Sequence, residues 1–384
     1  MTASNRQFSD FIPLPRHGAL LTALLAPRPV AYPAALQWLE TVDFDLIDVG
    51  EQRLMPFFDS RLREFGINHP TTGRVRGLYR RAWYVEQMMH SQLDSVLKII
   101  GEVTTEAAIL KGAALGRIVY DRPVHRPYDD FDILVPYDKQ VSVVEAMRRA
   151  GGTVCPPSFH AITVRMPNGL SADIHRSPYH LAFQAKHVKP LFTRLCRIEP
   201  VAPATAGSTH LPPVAWLTLS STDHLLHTLM HGRTLTKSSR IRWIVDATLL
   251  LRRDGCRIDW DLLVAEAVRL DFVEPAMLGM REVLEYEPNE DAARALAELE
   301  RRISQPGTLY WDVDSKLSGF FVLWERTRRN ADSPVGRLRL LVSILLARHG
   351  WLGLFRRLEK KGVPFSIELL KTLLMRRLRM GSYD

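Results

Sequence analysis

A short apolar segment flanked and interrupted by acids, DDFDILVP at residues 129–136, constrains the fold of this chain more than any other feature. Residues 131–135 have the length and content of a buried β-strand, on which side chains two positions apart point to the same face. Asp130 and Asp132 therefore share one face. Two adjacent carboxylates repel each other unless a cation or a shared proton lies between them. The pattern predicts a strand whose polar face suits a divalent metal and phosphoryl transfer.

A third acid, Asp173, lies in the segment GLSADIH at residues 169–175. Apolar and polar residues alternate there, which predicts a half-buried strand with Asp173 on its polar face. The turn sequence Pro-Asn-Gly at 167–169 separates this strand from another candidate at 161–166 and predicts a hairpin. If the strands that carry Asp132 and Asp173 are neighbours in one sheet, the three acids converge.

The segment ILKGAALGRIVY at residues 109–120 predicts a short strand, a Lys-Gly turn and a short helix. Gly112 has no Cβ, so its backbone can approach a phosphate closely. Lys111 and Arg126 are cations that could pair with phosphate charge, and ordinary surface charge is the alternative interpretation of both. Ala113 follows Gly112 and provides no hydroxyl group for a phosphate.

Three segments together resemble the bacterial family of uncharacterised nucleotidyltransferases in the polymerase-β-type superfamily. They are LKGAALGRIVY, then Arg126 followed by DFDILV, and ADIHR. Similar segments follow at 219–232, 242–251 and 258–264, so the resemblance spans about residues 15–270. It implies a magnesium-dependent transferase that moves a nucleoside monophosphate from an NTP to a hydroxyl acceptor, with release of pyrophosphate.

The same resemblance assigns roles to individual residues. It implies that Asp130, Asp132 and Asp173 hold two Mg²⁺ ions and are catalytic, with Asp173 also helping to deprotonate the acceptor hydroxyl. Lys111, Gly112 and Arg126 would bind the nucleotide. A small molecule, a sugar, a protein side chain and an RNA end all stay open as acceptors.

The predicted fold class is α+β. A polymerase-β-like nucleotidyltransferase core, a mixed sheet with helices at residues 106–205, is flanked by helical regions at 1–105 and 206–384. The N-terminal region includes an apolar stripe through Met89 and Leu93 at helical spacing, which indicates core packing. A segment rich in Pro, Ala and Gly at 201–213 is the best linker candidate. Helices are predicted at 34–41, 52–65, 80–100, 113–120, 139–150, 220–232, 241–252, 259–270, 291–303, 335–347 and 366–379.

The net charge of +9 is concentrated near the C-terminus. Residues 337–384 contain eleven Lys/Arg and three Asp/Glu. This basic tail has three interpretations: a solvated face of packed helices, a nucleic-acid contact or a peripheral membrane contact. No nucleic-acid-binding motif supports the second interpretation.

The cysteine content and the N-terminal sequence favour a cytoplasmic protein. Three widely spaced cysteines form no C-x-x-C pair, which argues against a zinc ribbon or a disulfide framework. The N-terminus does not have the apolar core of a signal peptide, and no apolar run near the C-terminus is long enough to cross a bilayer.

Two features of the segment after residue 217 carry open interpretations. His224, His227 and His231 fall on one helical face and could form a metal-ligand set. The leucines and the methionine that surround them in the sequence, with no acid close by to orient them, favour structural or substrate-lining histidines instead. Asp246 lies in an apolar helix and needs a partner, for which Arg233, Arg240 or Arg242 would serve. That pair is either a structural ion pair or part of an acceptor pocket.

Two alternatives to the enzyme interpretation are retained. One is a non-catalytic nucleotide-binding or scaffold protein of the same fold, which the absence of a hydroxyl at Ala113 favours. The other is a nucleic-acid or membrane-surface binder that depends on the basic tail.

Overall fold

A seven-stranded mixed sheet and twelve α-helices make up the part of the chain that the computed structural model describes. That part comprises residues 15–155, 161–179, 185–198, 216–234, 241–253 and 256–303. The helices are α1 (Pro15–Leu25), α2 (Arg28–Thr41), α3 (Val49–Phe65), α4 (Thr72–Gly101), α5 (Lys111–Ile118), α6 (Gln140–Arg149), α7 (Ala185–Phe192), α8 (Ser221–Thr234), α9 (Arg242–Arg252), α10 (Trp260–Arg269), α11 (Val273–Leu284) and α12 (Glu290–Ile303). The strands are β1 (Ala108–Ile109), β2 (Phe131–Leu134), β3 (Thr153–Val154), β4 (Ala161–Arg165), β5 (Ser171–His175), β6 (Cys196–Ile198) and β7 (Trp216–Thr218). The α+β class predicted from the sequence is confirmed.

The strand order in the sheet is β3-β4-β5-β2-β1-β7-β6. Strands β2 and β5 are parallel neighbours, as are β1 and β7, and the remaining pairs are antiparallel. The β4–β5 hairpin closes at Gly169, whose φ of +85° suits a residue without a Cβ. This topology places the strand that carries Asp132 directly beside the strand that carries Asp173.

One face of the sheet packs on helices α4 and α6. Phe131 and Ile133 of β2 are fully buried there, in the same cluster as Met89, Leu93 and Met147 from the two helices. The apolar stripe on α4 is therefore core, as its spacing predicts. Because alternate side chains of a strand point to opposite faces, Asp132 projects away from this core.

Several elements differ from the sequence prediction. Helix α4 begins at Thr72 rather than at residue 80, and α11 has no counterpart among the predicted helices. Strand β7 lies beyond the predicted core limit at residue 205 and pairs with β1. The division into three regions stays a prediction.

Some predictions fall outside the described residues. They concern the linker at 201–213, the helices at 335–347 and 366–379 and the basic tail. Within the described ranges, no helix is both long enough and apolar enough to span a membrane.

Candidate active site

Asp132 and Asp173 lie opposite each other on neighbouring parallel strands. The register of β2 and β5 pairs Asp132 with Asp173 and Leu134 with His175. Asp130 immediately precedes β2, and its carboxylate is close enough to the other two to influence them electrostatically. The convergence expected from the sequence thus follows directly from the order of the strands.

The Asp132 carboxylate is buried between two cationic or proton-donating groups. Lys111 Nζ donates to Asp132 Oδ1 at 2.5 Å, and His175 Nε2 lies 2.8 Å from the same oxygen. Because a carboxylate only accepts, Nε2 is the protonated nitrogen of His175. Burial alone would raise the pKa of Asp132, but Lys111 and the His175 hydrogen bond outweigh it and hold the pKa well below its usual range. Asp132 is therefore an anion at neutral pH.

Asp130 has the opposite electrostatic character. Burial, then the negative charges of Asp132 and Asp173, raise the pKa of Asp130 to about 6, although Lys111 works against them. Asp173 is half-buried and accepts a hydrogen bond from Thr163 Oγ1 at 2.5 Å, across the β4–β5 pair. Within the described residues, the Lys111 ammonium is bonded to Asp132 and acted on by Asp130 and Asp173, so negative charge exceeds positive charge among these four groups.

The donor set fits a hard divalent cation. Ligand atoms of Asp132, Asp173 and His175 lie within 4.8 Å of one another. Mg²⁺ prefers oxygen ligands, so the carboxylates suit it as direct ligands. His175 Nε2 is bonded to Asp132, so His175 would orient this carboxylate if Asp132 held a metal ion.

The first two residues of α5 have unusual backbone features. Lys111 has a φ of +49°, a left-handed conformation that is uncommon for a residue with a side chain and recurs at functional sites. A Cβ added to Gly112 would lie 2.7 Å from Tyr128 Cβ and 3.2 Å from Arg126 Nη1. Close packing against the loop before β2 therefore requires glycine at position 112, and this packing sets the start of α5.

The chain matches the sequence pattern of a family described as uncharacterised nucleotidyltransferase over residues 49–285, well over half of its length. It belongs to this family. No curated protein matches the chain significantly. Membership of the nucleotidyltransferase family supports transferase activity in general, and it agrees with a mixed sheet that carries an acidic cluster and is flanked by helices.

Arg126 lies in a buried ion pair. Its Nε and Nη2 donate to the two oxygens of Asp246 on α9 at 2.7 and 2.8 Å, and Tyr120 Oη donates to Asp246 Oδ1 at 2.7 Å. The sequence suggested Arg233, Arg240 or Arg242 as partners of Asp246, but the arginine that pairs with it among the described residues is Arg126, 120 positions earlier. Arg240 lies outside the described residues. Nucleotide binding by Arg126 stays a prediction.

The three histidines of α8 lie in a largely buried environment. His224 Nε2 is 2.7 Å from Thr218 Oγ1, and the ring of His227 contacts those of Tyr179 and His231 edge-on. Burial lowers the pKa of His224 to about 4 and that of His231 to about 3. All three are neutral near pH 7, and they form no metal-ligand cluster within the described residues. The position of His227 and His231 agrees with a structural or substrate-lining role.

A second cluster of ligand-type side chains, formed by His17, Asp48 and Glu51, has a structural explanation. Asp48 caps the N-terminus of α3, where its Oδ1 accepts from the Glu51 backbone N–H at 2.8 Å. Glu51 Oε2 accepts in return from the Asp48 backbone N–H at 2.9 Å. These reciprocal bonds form a capping box, which accounts for both carboxylates.

Thr163 is a contributor to the site that sequence reasoning missed. The sequence contained a signal for this contact, because Thr163 and Asp173 are polar residues on the two strands of the predicted hairpin. In the structure they lie directly opposite each other. His175 was expected only to line the site, and its hydrogen bond to Asp132 gives it a more specific role.

Proposed function

We propose that this protein is a magnesium-dependent nucleotidyltransferase that moves a nucleoside monophosphate from an NTP to a hydroxyl acceptor. The observation that carries the proposal is the pairing of Asp132 with Asp173 across parallel strands, with Asp130 beside them and Lys111 bonded to Asp132. Two Mg²⁺ ions held by Asp130, Asp132 and Asp173 would neutralise phosphate charge and polarise the α-phosphate. In the reaction, the acceptor oxygen bonds to the α-phosphorus as the bond to the bridging oxygen breaks, and pyrophosphate leaves.

The protein residues supply position, charge and a proton acceptor. Asp173 would take the proton of the acceptor hydroxyl, and its half-buried carboxylate, bonded to Thr163, supports this role. His175 orients Asp132 through its Nε2–H. Holding reactants in line and preorganising charge are the main ways a protein accelerates this chemistry.

Lys111 and Gly112 form the nucleotide side of the proposed site. The Lys111 ammonium lies next to Asp132, at the edge of the acidic cluster, where it would bind the phosphates of the nucleotide. Gly112 keeps the start of α5 close to the loop before β2. Arg126 would contribute through its Nη1 group, which lies near Gly112, while its other donors hold Asp246.

The test is transfer of radioactive label from each α-³²P-labelled NTP with Mg²⁺, in the presence and absence of cell extract. Wild type is compared with an Asp130→Asn/Asp132→Asn variant and with Asp129→Asn as the matched control. Asp129 is exposed and pairs with Arg53, so its amide should leave transfer unchanged. Label that appears with wild type and control but not with the double variant supports transfer. Absence of both transfer and Mg²⁺-dependent nucleotide binding contradicts it.

A non-catalytic nucleotide-binding protein is the second candidate, and Ala113 favours it. This residue follows Gly112 in the first turn of α5, is 1% exposed and offers no hydroxyl to a phosphate. Nucleotide binding that depends on Mg²⁺ and on Asp132, without transfer to any acceptor in the extract, would favour this candidate.

A further inference from the structure

Arg242, the first residue of α9, lies beside the loop that leads to β2 and forms no ion pair with any residue that the structure describes. Among these residues, its hydrogen-bond acceptor is the Pro127 carbonyl oxygen, which lies 3.1 Å from Nη1. Within the described ranges no carboxylate lies at ion-pair distance from it, and its Nε and Nη2 have no protein acceptor. The sequence at 235–240, LTKSSR, contains no acid either.

The neighbouring arginines each have a carboxylate of their own. Arg53 pairs with Asp129, and Arg126 occupies both oxygens of Asp246. The charge of Arg242 is therefore in excess in this region. Burial and then repulsion by Arg126 lower the pKa of Arg242 to about 9, even though Asp246 works in the other direction. An added anion would relieve this imbalance.

Arg242 is close to the acidic cluster because it is hydrogen-bonded to Pro127, which lies a short stretch of chain before Asp130. Pro127, whose carbonyl accepts from both Arg242 and Arg126, precedes Asp130 by three residues, which is at most about 11 Å of extended chain. The imidazole of His231 lies close both to the acidic cluster and to Arg242, because Lys111, Asp132 and Arg242 all influence its pKa. Arg242 therefore lies on the side of the site where Lys111 and Gly112 are found.

We propose that Arg242 forms an anion subsite that binds the β- and γ-phosphates of the NTP, and hence the departing pyrophosphate. This inference rests on the proposed function for the identity of its ligand. Nε and Nη2 of an arginine form the fork that binds two phosphate oxygens at once, and both are available in Arg242. Two parts of the fold would then bind one substrate. The carboxylates at β2 and β5 would hold its metal ions, and Arg242 on α9 would hold its β- and γ-phosphates.

Binding of inorganic tripolyphosphate with Mg²⁺, measured by calorimetry on the full chain, tests the subsite without any need for turnover. Arg242→Met should weaken binding by about 10- to 100-fold, the effect expected for hydrogen bonds to a charged group. Arg242→Lys should show an intermediate loss, because it keeps the charge and loses the fork. Arg252→Met, at the far end of the same helix and paired with Glu287, is the matched control and should bind like wild type.

The outcomes separate this inference from the proposed function. Equal tripolyphosphate binding by wild type and Arg242→Met, or no binding by wild type, overturns the subsite whatever the transfer assay shows. Tripolyphosphate binding that depends on Arg242 in a protein that transfers no label supports the subsite and contradicts the transferase proposal. If Arg242→Met does not fold, Arg242→Lys decides: a several-fold loss supports the subsite and unchanged affinity overturns it.

Discussion

The Asp132 carboxylate shares one oxygen, Oδ1, between Lys111 Nζ and His175 Nε2, at 2.5 and 2.8 Å. Lys111 is the first residue of α5, and His175 is the last residue of β5. Asp132 therefore joins the helix that starts the proposed nucleotide side to the strand that carries Asp173. Replacement of Asp132 by a neutral residue removes negative charge from the site and leaves both Lys111 and His175 without their carboxylate partner.

Asp132→Asn and Asp173→Asn should each lower the rate of label transfer by about 100-fold or more, since even residues behind metal ligands contribute 10- to 100-fold. Asp132→Asn should also reduce stability, because it leaves the half-buried Lys111 ammonium without its counter-charge. Transfer rates and urea unfolding of the two variants would separate the effects. Equal rates for Asp173→Asn and wild type would remove Asp173 from the catalytic set.

The stability of the metal-free protein should depend on the protonation of Asp130. Its folded pKa of about 6 lies above the ordinary value of 3.8, so the folded state binds more protons than the unfolded state between these values. The contribution of Asp130 to stability is therefore lost as pH rises through about 6. Melting temperatures of wild type and Asp130→Asn at pH 5 and 7.5 measure this. The melting temperature of the variant should fall less between pH 5 and pH 7.5 than that of wild type. An equal fall in both proteins would contradict the expectation.

Magnesium should reverse this pH effect. A cation stabilises the ionised form of Asp130, so Mg²⁺ should raise the melting temperature more at pH 7.5 than at pH 5. Calcium provides a comparison, because it also takes oxygen ligands but at longer distances. If Mg²⁺ raised the melting temperature equally in wild type and in the Asp130→Asn/Asp132→Asn variant, the ion would bind elsewhere.

Asp246→Asn should destabilise the fold by about 3–5 kcal/mol, the usual cost of leaving one member of a buried ion pair without its partner. The Arg126–Asp246 pair is almost fully buried and bidentate. Asp121→Asn is the matched control, since Asp121 and its partner Arg253 are largely exposed and such pairs contribute little. Urea denaturation of both variants gives the comparison, and equal midpoints would show that the buried pair contributes no more than the exposed one.

Gly112→Ala should destabilise the protein by about 1–3 kcal/mol, because the added methyl group overlaps Tyr128 Cβ and the helix start must shift. The same shift would move Lys111 away from Asp132 and reduce nucleotide affinity. Gly77→Ala in α4 is the control, since nothing lies within 4 Å of the added Cβ and alanine favours a helix. A stable Gly112→Ala variant with normal affinity would argue against a tight fit at this turn.

Local sequence patterns predicted β2, the β4–β5 hairpin and the shared face of Asp130 and Asp132, because each depends on residues close together in the chain. Strand β7 was missed because three residues give too short a pattern to distinguish from the start of a helix. The partner of Asp246 was missed for another reason. Arg126 lies 120 residues earlier, and no local pattern reports such a contact. No local pattern indicates, either, that Arg242 would have no carboxylate partner among the described residues.

The pairing of β7 with β1 has a consequence for how this protein can be divided. A fragment that stops at residue 205 would expose the edge of β1 to other chains and would leave the Arg126 guanidinium in the interior without Asp246. The part of the chain that carries the acidic cluster is thus unsuited to independent expression or to recombination as a module. Inheritance of this site by another protein would require the helices after residue 216 to be carried with it.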